Sequence, residues 1–230
     1  MNIAHILEIV LSLVAVFTAI VLHEVSHGYV AYRLGDPTAK ARGRLTLNPL
    51  AHIDPIGTVL VPLVLVVLRS PFLFGWAKPV PINPNYFRNP FKGMLYVAIA
   101  GPATNLALAL GATAVGRLLL LAFPDPFFFS SGTFTADLMR AIFFLMGIFV
   151  IFNIVLAVFN MIPIPPLDGS RVLTYFLPSE GRRVMILLER YGFLILIAFI
   201  FLGGLGALFG LMGGIWNGLL GNYWRLIVGI

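Results

Sequence analysis

Long apolar segments separated by short polar loops dominate the amino-acid sequence. Three of these segments, 6–33, 93–122 and 137–160, are long enough to cross a bilayer as helices, since about 20 apolar residues span its hydrocarbon core. None of them shows a sustained alternation of apolar and polar positions, which disfavours a β-barrel. The pattern therefore predicts an all-α polytopic membrane protein with a core of three helices.

Two further apolar regions are harder to assign as spans. The segment 56–68 reads IGTVLVPLVLVVL, and a run of this length is typical of a re-entrant or surface segment rather than a full crossing. Residues 191–230 contain two Gly-Gly pairs and are expected to form one or two helices. We therefore predict a core over 1–190 and a C-terminal membrane helix or helix pair over 191–230.

The distribution of basic residues predicts the orientation. Loops 33–55, 69–92 and 171–190 are basic, whereas loop 123–136 has no Lys or Arg. Because cytoplasmic loops carry an excess of Lys and Arg, the basic loops are predicted to lie in the cytoplasm and 123–136 outside. This arrangement requires 56–68 to enter and leave the membrane on the same side, or to lie on its surface.

Composition supports this assignment and excludes other classes. Hydrophobic residues make up 60% of the 230-residue chain and charged residues 10%, against about 25% charged residues in soluble domains. The net charge of +6 comes from the loops and favours contact with anionic lipid headgroups over nucleic acid. The chain has no cysteine, which excludes disulfides and thiolate metal sites.

Polar residues interrupt the first apolar segment at LHEVSHG, residues 22–28. On a helix, His23 and His27 lie on one face and can bind one ion, while Glu24 can reach a metal-bound water as a general base. Two imidazoles, a carboxylate and an open position for water suit zinc. Ionisable groups inside a membrane cost about 2.5–3.5 kcal/mol each, so three within five residues indicate a shared metal.

A third protein ligand has to come from elsewhere in the chain. Asp168 is favoured because it follows the third span on the same predicted side, within PIPPLDG, whose prolines open the backbone. His52 is kept as a minor candidate. Asp36 and Asp54 lie in turn-forming GDP and IDP contexts, and His5 is too far along the first helix.

Five motifs, in order, resemble the site-2 protease family of intramembrane zinc metalloproteases, in its small bacterial and archaeal form without PDZ or CBS domains. The resemblance covers about 17–175. The motifs are HEVSH at 23–27, GRLTLNPLAHIDPIGT at 43–58, GWAKPVPINP at 75–84, GPATN at 101–105 and NMIPIPPLDG at 160–169.

The resemblance implies a site made of five residues. His23, His27 and Asp168 would bind one Zn2+ per chain, and Glu24 would be the catalytic base. Asn160 would place a polar group near the scissile carbonyl, where an amide donor stabilises a developing oxyanion.

The implied activity is that of a zinc metalloendopeptidase that hydrolyses peptide bonds within or next to transmembrane segments, as in regulated intramembrane proteolysis. Its partners would be a transmembrane protein substrate and the lipid bilayer, without nucleic acid. The expected location is a prokaryotic inner membrane, with the site toward the cytoplasm. GRLTLNP or KPVPINP is expected to offer a β edge to an unwound substrate, and Asn105 to bond between helices.

Two other functions stay open at this stage. A membrane metalloprotease that cuts extramembrane segments would carry HExxH outside the membrane, whereas here the motif is continuous with apolar sequence. A non-enzymatic metal-binding transporter would leave Glu24 and the LDG motif without a role. A di-iron oxidase needs more histidines than the four present.

Overall fold

Helices account for most of the chain. The computed structural model describes residues 3–68, 75–123 and 133–228, and no strand occurs among them. This confirms the predicted all-α class. The α-helices are α1 Ile3–Arg33, α2 Thr38–Ala41, α3 Val61–Val67, α4 Pro90–Ala122, α5 Phe134–Asn160, α6 Asp168–Phe176, α7 Ser179–Glu189, α8 Gly192–Phe201 and α9 Gly204–Val228.

Three helices in the described part of the chain are long and apolar enough to cross a membrane, namely α1, α4 and α5. A fourth span results if α7 and α8, bent by 79° at their junction, count as one. The three long helices pack against one another. Asn89 and Pro90 begin α4, with the Asn89 side chain accepting the Lys92 N–H at 3.1 Å. The protein is an integral membrane protein.

An apolar core joins α4 and α5 to the C-terminal helix α9. Its buried members come from all three helices, and they are Ala109, Phe143, Val150, Ile154, Leu208, Met212 and Leu220. The described part of 191–230 contains α8 and α9, and the non-helical backbone of Gly221 interrupts α9. The boundary between a core over 1–190 and this C-terminal part stays a prediction.

The apolar segment after the first helix forms a short helical segment, Pro55–Val67. Its first turns begin at Asp54, whose carboxylate accepts the N–H groups of Ile56 at 3.0 Å and Gly57 at 2.7 Å. Thirteen residues rise about 20 Å, short of the roughly 30 Å hydrocarbon core. The re-entrant or surface position stays a prediction. Residues 69–74 and 124–132, from the loops used for orientation, lie outside the described residues.

The segments expected to offer β edges are extended loops instead of strands. In 75–83, alternate residues direct their backbone N–H groups to one side, toward 52–57 and Glu24. The donors are Trp76 to Gly57 O, Lys78 to His52 O and Val80 to the Glu24 carboxylate. Pro79 and Pro81 have no N–H, so the opposite edge cannot donate a regular ladder of hydrogen bonds.

Candidate metal centre

Three buried side chains meet at one point among α1, α4 and the start of α6. His23 Nε2 and His27 Nε2 lie 3.0 Å apart. Asp168 Oδ2 lies 3.3 Å from the first and 3.2 Å from the second. Among the residues that the structure describes, this is the one group of three His, Cys, Asp or Glu side chains placed to hold a metal ion.

The irregular segment 161–167 brings Asp168 to the two histidines. It follows the end of α5, and Asp168 is the first residue of α6. Gly169 packs directly against the backbone of Met161, where a Cβ would overlap the carbonyl group. The glycine therefore permits the close approach that brings Asp168 back toward α1.

The hydrogen bonds of the outer ring nitrogens determine which atoms face the centre. His23 Nδ1 donates to Asn105 Oδ1 at 2.5 Å, and His27 Nδ1 donates to the Val97 carbonyl at 2.7 Å. A neutral imidazole carries one proton, so each Nε2 presents a lone pair. Asp168 Oδ2 is buried and has no hydrogen-bond donor. In the neutral tautomer, two imidazole lone pairs and one carboxylate oxygen thus face the same point.

This arrangement fits a zinc ion. Ligand atoms bound to one tetrahedral zinc at its usual bond lengths lie about 3.3 Å apart, close to the separations found between the three side chains. A Cβ built on Gly101 of α4 would lie 2.5 Å from His27 Nε2 and 2.6 Å from His23 Nε2. Glycine at this position therefore keeps the space in front of both nitrogens free of protein atoms.

Glu24 has a partner that sequence analysis did not identify. Its Oε2 accepts the backbone N–H of Val80 at 2.9 Å. This bond joins the extended segment 75–83 to the helix that carries the histidines. It fixes one of the two carboxylate oxygens of Glu24.

The remaining predicted residues lie outside the three-residue group. Asn160 ends α5, and its Nδ2 donates to the Leu156 carbonyl at 2.9 Å. Its role near a scissile carbonyl stays a prediction. The ring of the buried His52 forms a hydrogen bond with the Thr46 carbonyl at 2.9 Å. Asp54 caps the N-terminus of the helical segment that begins at Pro55. The Asp36 carboxylate accepts the N–H of Asn83 at 2.7 Å and the N–H of Thr38 at 2.9 Å, and so stabilises the turn before α2.

A cavity of about 380 Å³ is lined by sequence neighbours and partners of the site residues rather than by the three converging side chains. It lies between the segment 79–84, the start of α4, and helices α6 and α7. Val80, whose N–H bonds Glu24, lines one wall, and Pro165 and Ser170, three residues before and two residues after Asp168, line another.

Comparison with known proteins identifies relatives of the chain. The model of "Peptidase family M50" matches residues 83–203. "Putative zinc metalloprotease YwhC" of Bacillus subtilis is 39% identical, over 82% of this chain and 78% of that protein. "Putative zinc metalloprotease Rip2" of Mycolicibacterium smegmatis is 33% identical, over 76% of this chain and 61% of that protein.

An archaeal relative extends the range of similar proteins. "Putative zinc metalloprotease MJ0611" of Methanocaldococcus jannaschii is 31% identical, over 74% of this chain and 72% of that protein. No solved structure gives a significant match. The buried His-His-Asp group and the membrane-length helices agree with these names. The chain therefore belongs to peptidase family M50, the site-2 protease family, and is an integral membrane zinc metalloprotease.

Proposed function

We propose that this protein is an endopeptidase that hydrolyses peptide bonds within or next to transmembrane segments of other membrane proteins. In this proposal His23, His27 and Asp168 hold the zinc, and Glu24 transfers the proton. The observation that carries the proposal is the convergence of two imidazole nitrogens and one carboxylate oxygen on a buried point between membrane-length helices.

The depth of the site supports cleavage inside the membrane profile. His23 precedes the end of α1 at Arg33 by ten residues, which corresponds to about 15 Å along a helix. The hydrogen-bond partner of its ring, Asn105, lies in the middle third of α4. A peptide bond that reaches this site must therefore come from a segment that enters the bilayer region.

His23, His27 and Asp168 would hold the zinc, which would supply a Lewis acid for the scissile carbonyl and lower the pKa of water at the site. Glu24 accepts a proton from the attacking water as the new C–O bond forms. It then delivers that proton to the amide nitrogen as the C–N bond breaks. The Val80 N–H holds Glu24 Oε2 in place through these steps. Asn160 donates an amide N–H to the carbonyl oxygen as it gains charge.

The substrate in this proposal is a transmembrane helix that unwinds locally. Amide groups inside a helix are already hydrogen-bonded, so the segment has to open before water can attack. The cavity beside Val80 and Ser170 offers room for such an opened segment. Lipid surrounds the protein, and the proposed location is a prokaryotic inner membrane with the site toward the cytoplasm.

The test uses the purified protein in bilayers with a single-span model substrate. We expect Glu24→Gln to keep bound zinc at the wild-type level while the cleavage rate falls by about 10²–10⁴-fold, because the general base is lost. Glu8→Gln is the matched control, since Glu8 lies on the same helix and is exposed beside His5. Mass spectrometry of the products locates the cut.

Two results would overturn the proposal. Full cleavage by Glu24→Gln would exclude Glu24 as the base. Cleavage confined to soluble extensions of the substrate would exclude intramembrane hydrolysis and favour a protease that cuts extramembrane segments.

A further inference from the structure

A chain of buried amide side chains runs from α5 to the metal centre. Asn153 Nδ2 donates to the Phe149 carbonyl at 2.8 Å. Asn105 Nδ2 donates to Asn153 Oδ1 at 2.7 Å, and His23 Nδ1 donates to Asn105 Oδ1 at 2.5 Å. Both asparagines are fully buried. These consecutive hydrogen bonds therefore link helices α5, α4 and α1.

The hydrogen bond between Asn153 and the Phe149 carbonyl fixes which atom donates in each of the other bonds. The Phe149 carbonyl can only accept, so it takes the NH2 group of Asn153 and turns Asn153 Oδ1 toward α4. That oxygen takes the NH2 group of Asn105, which also donates to the Ala19 carbonyl at 3.3 Å. Asn105 Oδ1 must then face His23, and the proton of His23 must lie on Nδ1.

We propose that Asn105 and Asn153 are positioning residues that keep the His23 ring in its metal-binding tautomer and orientation. The inference rests on the proposed function, since it takes His23 as a zinc ligand. The neighbouring ligand, His27, needs no such device because a backbone carbonyl of α4, that of Val97, accepts its proton directly. Asn105 and Asn153 fix the tautomer and orientation of His23 in the same way, but through two side chains.

The expected effects follow from the loss of this constraint. Partners of metal-binding histidines are worth about 10–100-fold in metal affinity. Asn105→Leu removes the acceptor and should weaken zinc binding within that range. Asn153→Leu leaves the acceptor in place but removes the stronger of the two hydrogen bonds that orient the Asn105 amide, so that only the 3.3 Å bond to the Ala19 carbonyl remains. We therefore expect about 10-fold weaker binding, the low end of the range.

The test is a chelator competition that measures zinc affinity of the purified full chain in detergent. Asn105→Asp separates positioning from helix packing, because it keeps an acceptor for His23 Nδ1 but loses the donor to Asn153. We expect it to bind zinc about as tightly as wild type, although its zinc-free form unfolds more easily. Thr113→Val is the matched control, since Thr113 is buried on α4 and bonds only its own helix, to Ala109.

The outcomes distinguish this inference from the proposed function. If His23→Ala binds zinc as tightly as wild type, the ligand assignment fails. If His23→Ala loses zinc but Asn105→Leu and Asn153→Leu do not weaken binding, the positioning role alone fails. Equal losses in Asn105→Leu and Asn105→Asp would also overturn it, in favour of a helix-packing role. Should Asn105→Leu not accumulate, Asn153→Leu decides the question, because it touches no metal ligand.

Discussion

Helices α4 and α5 contribute to two interiors of different kinds. One is polar, and in it the amides of Asn105 and Asn153 form hydrogen bonds that end at His23. The other is an apolar cluster shared with α9, which includes Ala109, four residues after Asn105, and Ile154, next to Asn153. The polar group depends on the direction of each hydrogen bond, whereas the apolar cluster depends on how well its volume is filled. Substitutions in the two groups should therefore fail in different ways.

The most severe loss is expected from a substitution at Gly101, beside the two imidazole rings. Gly101→Ala places a Cβ against both imidazole rings and should displace them from the metal. A displacement of about 1 Å can cost 10²-fold in rate, and we expect at least that loss, together with loss of bound zinc. Zinc content and cleavage rate measure it.

Gly111→Ala is the control for this substitution. Gly111 lies in the same helix, and a Cβ there meets nothing within 4 Å. Wild-type zinc content in both variants would show that the centre does not need the space in front of Gly101.

The smaller effect is expected in the apolar cluster, at the buried Ile154. Ile154→Ala should lower the free energy of unfolding by about 2 kcal/mol. This is the low end of the range for soluble cores, because lipid rather than water is the alternative environment in a membrane. Zinc affinity should stay at the wild-type value, although Ile154 adjoins Asn153. Unfolding in detergent measures the stability, and chelator competition measures the zinc affinity. A large loss of zinc affinity would contradict the independence of the apolar cluster from the polar group.

Local periodicity predicts much of this architecture. The lengths of the three long apolar segments predict the helices α1, α4 and α5. The spacing of His23 and His27 on one helix predicts that their rings lie on the same face. The structure brings Asp168 to the same point, as the order of the loops predicts. The spans and the histidine spacing can be predicted from a single segment. The position of Asp168 can be predicted from the side of the membrane on which the third span ends.

Features that depend on how helices face each other were harder to predict. Gly101 as a close approach, the Val80 N–H on Glu24 and the Asn105–Asn153 bond all join segments far apart in sequence. One signal was available, because small and polar residues in an apolar helix mark helix contacts. It indicates an interhelical bond for Asn105 but not its partners.

The most direct test of the central claim is the zinc content of Asp168→Ala beside that of His52→Ala, measured on the purified chain. Both residues are buried, but only Asp168 directs an oxygen with no hydrogen-bond donor at the two imidazoles. The arrangement predicts about one zinc per chain in the wild type and in His52→Ala. Asp168→Ala should lose most of its zinc. Full zinc in Asp168→Ala, with loss in His52→Ala, would contradict the proposed centre.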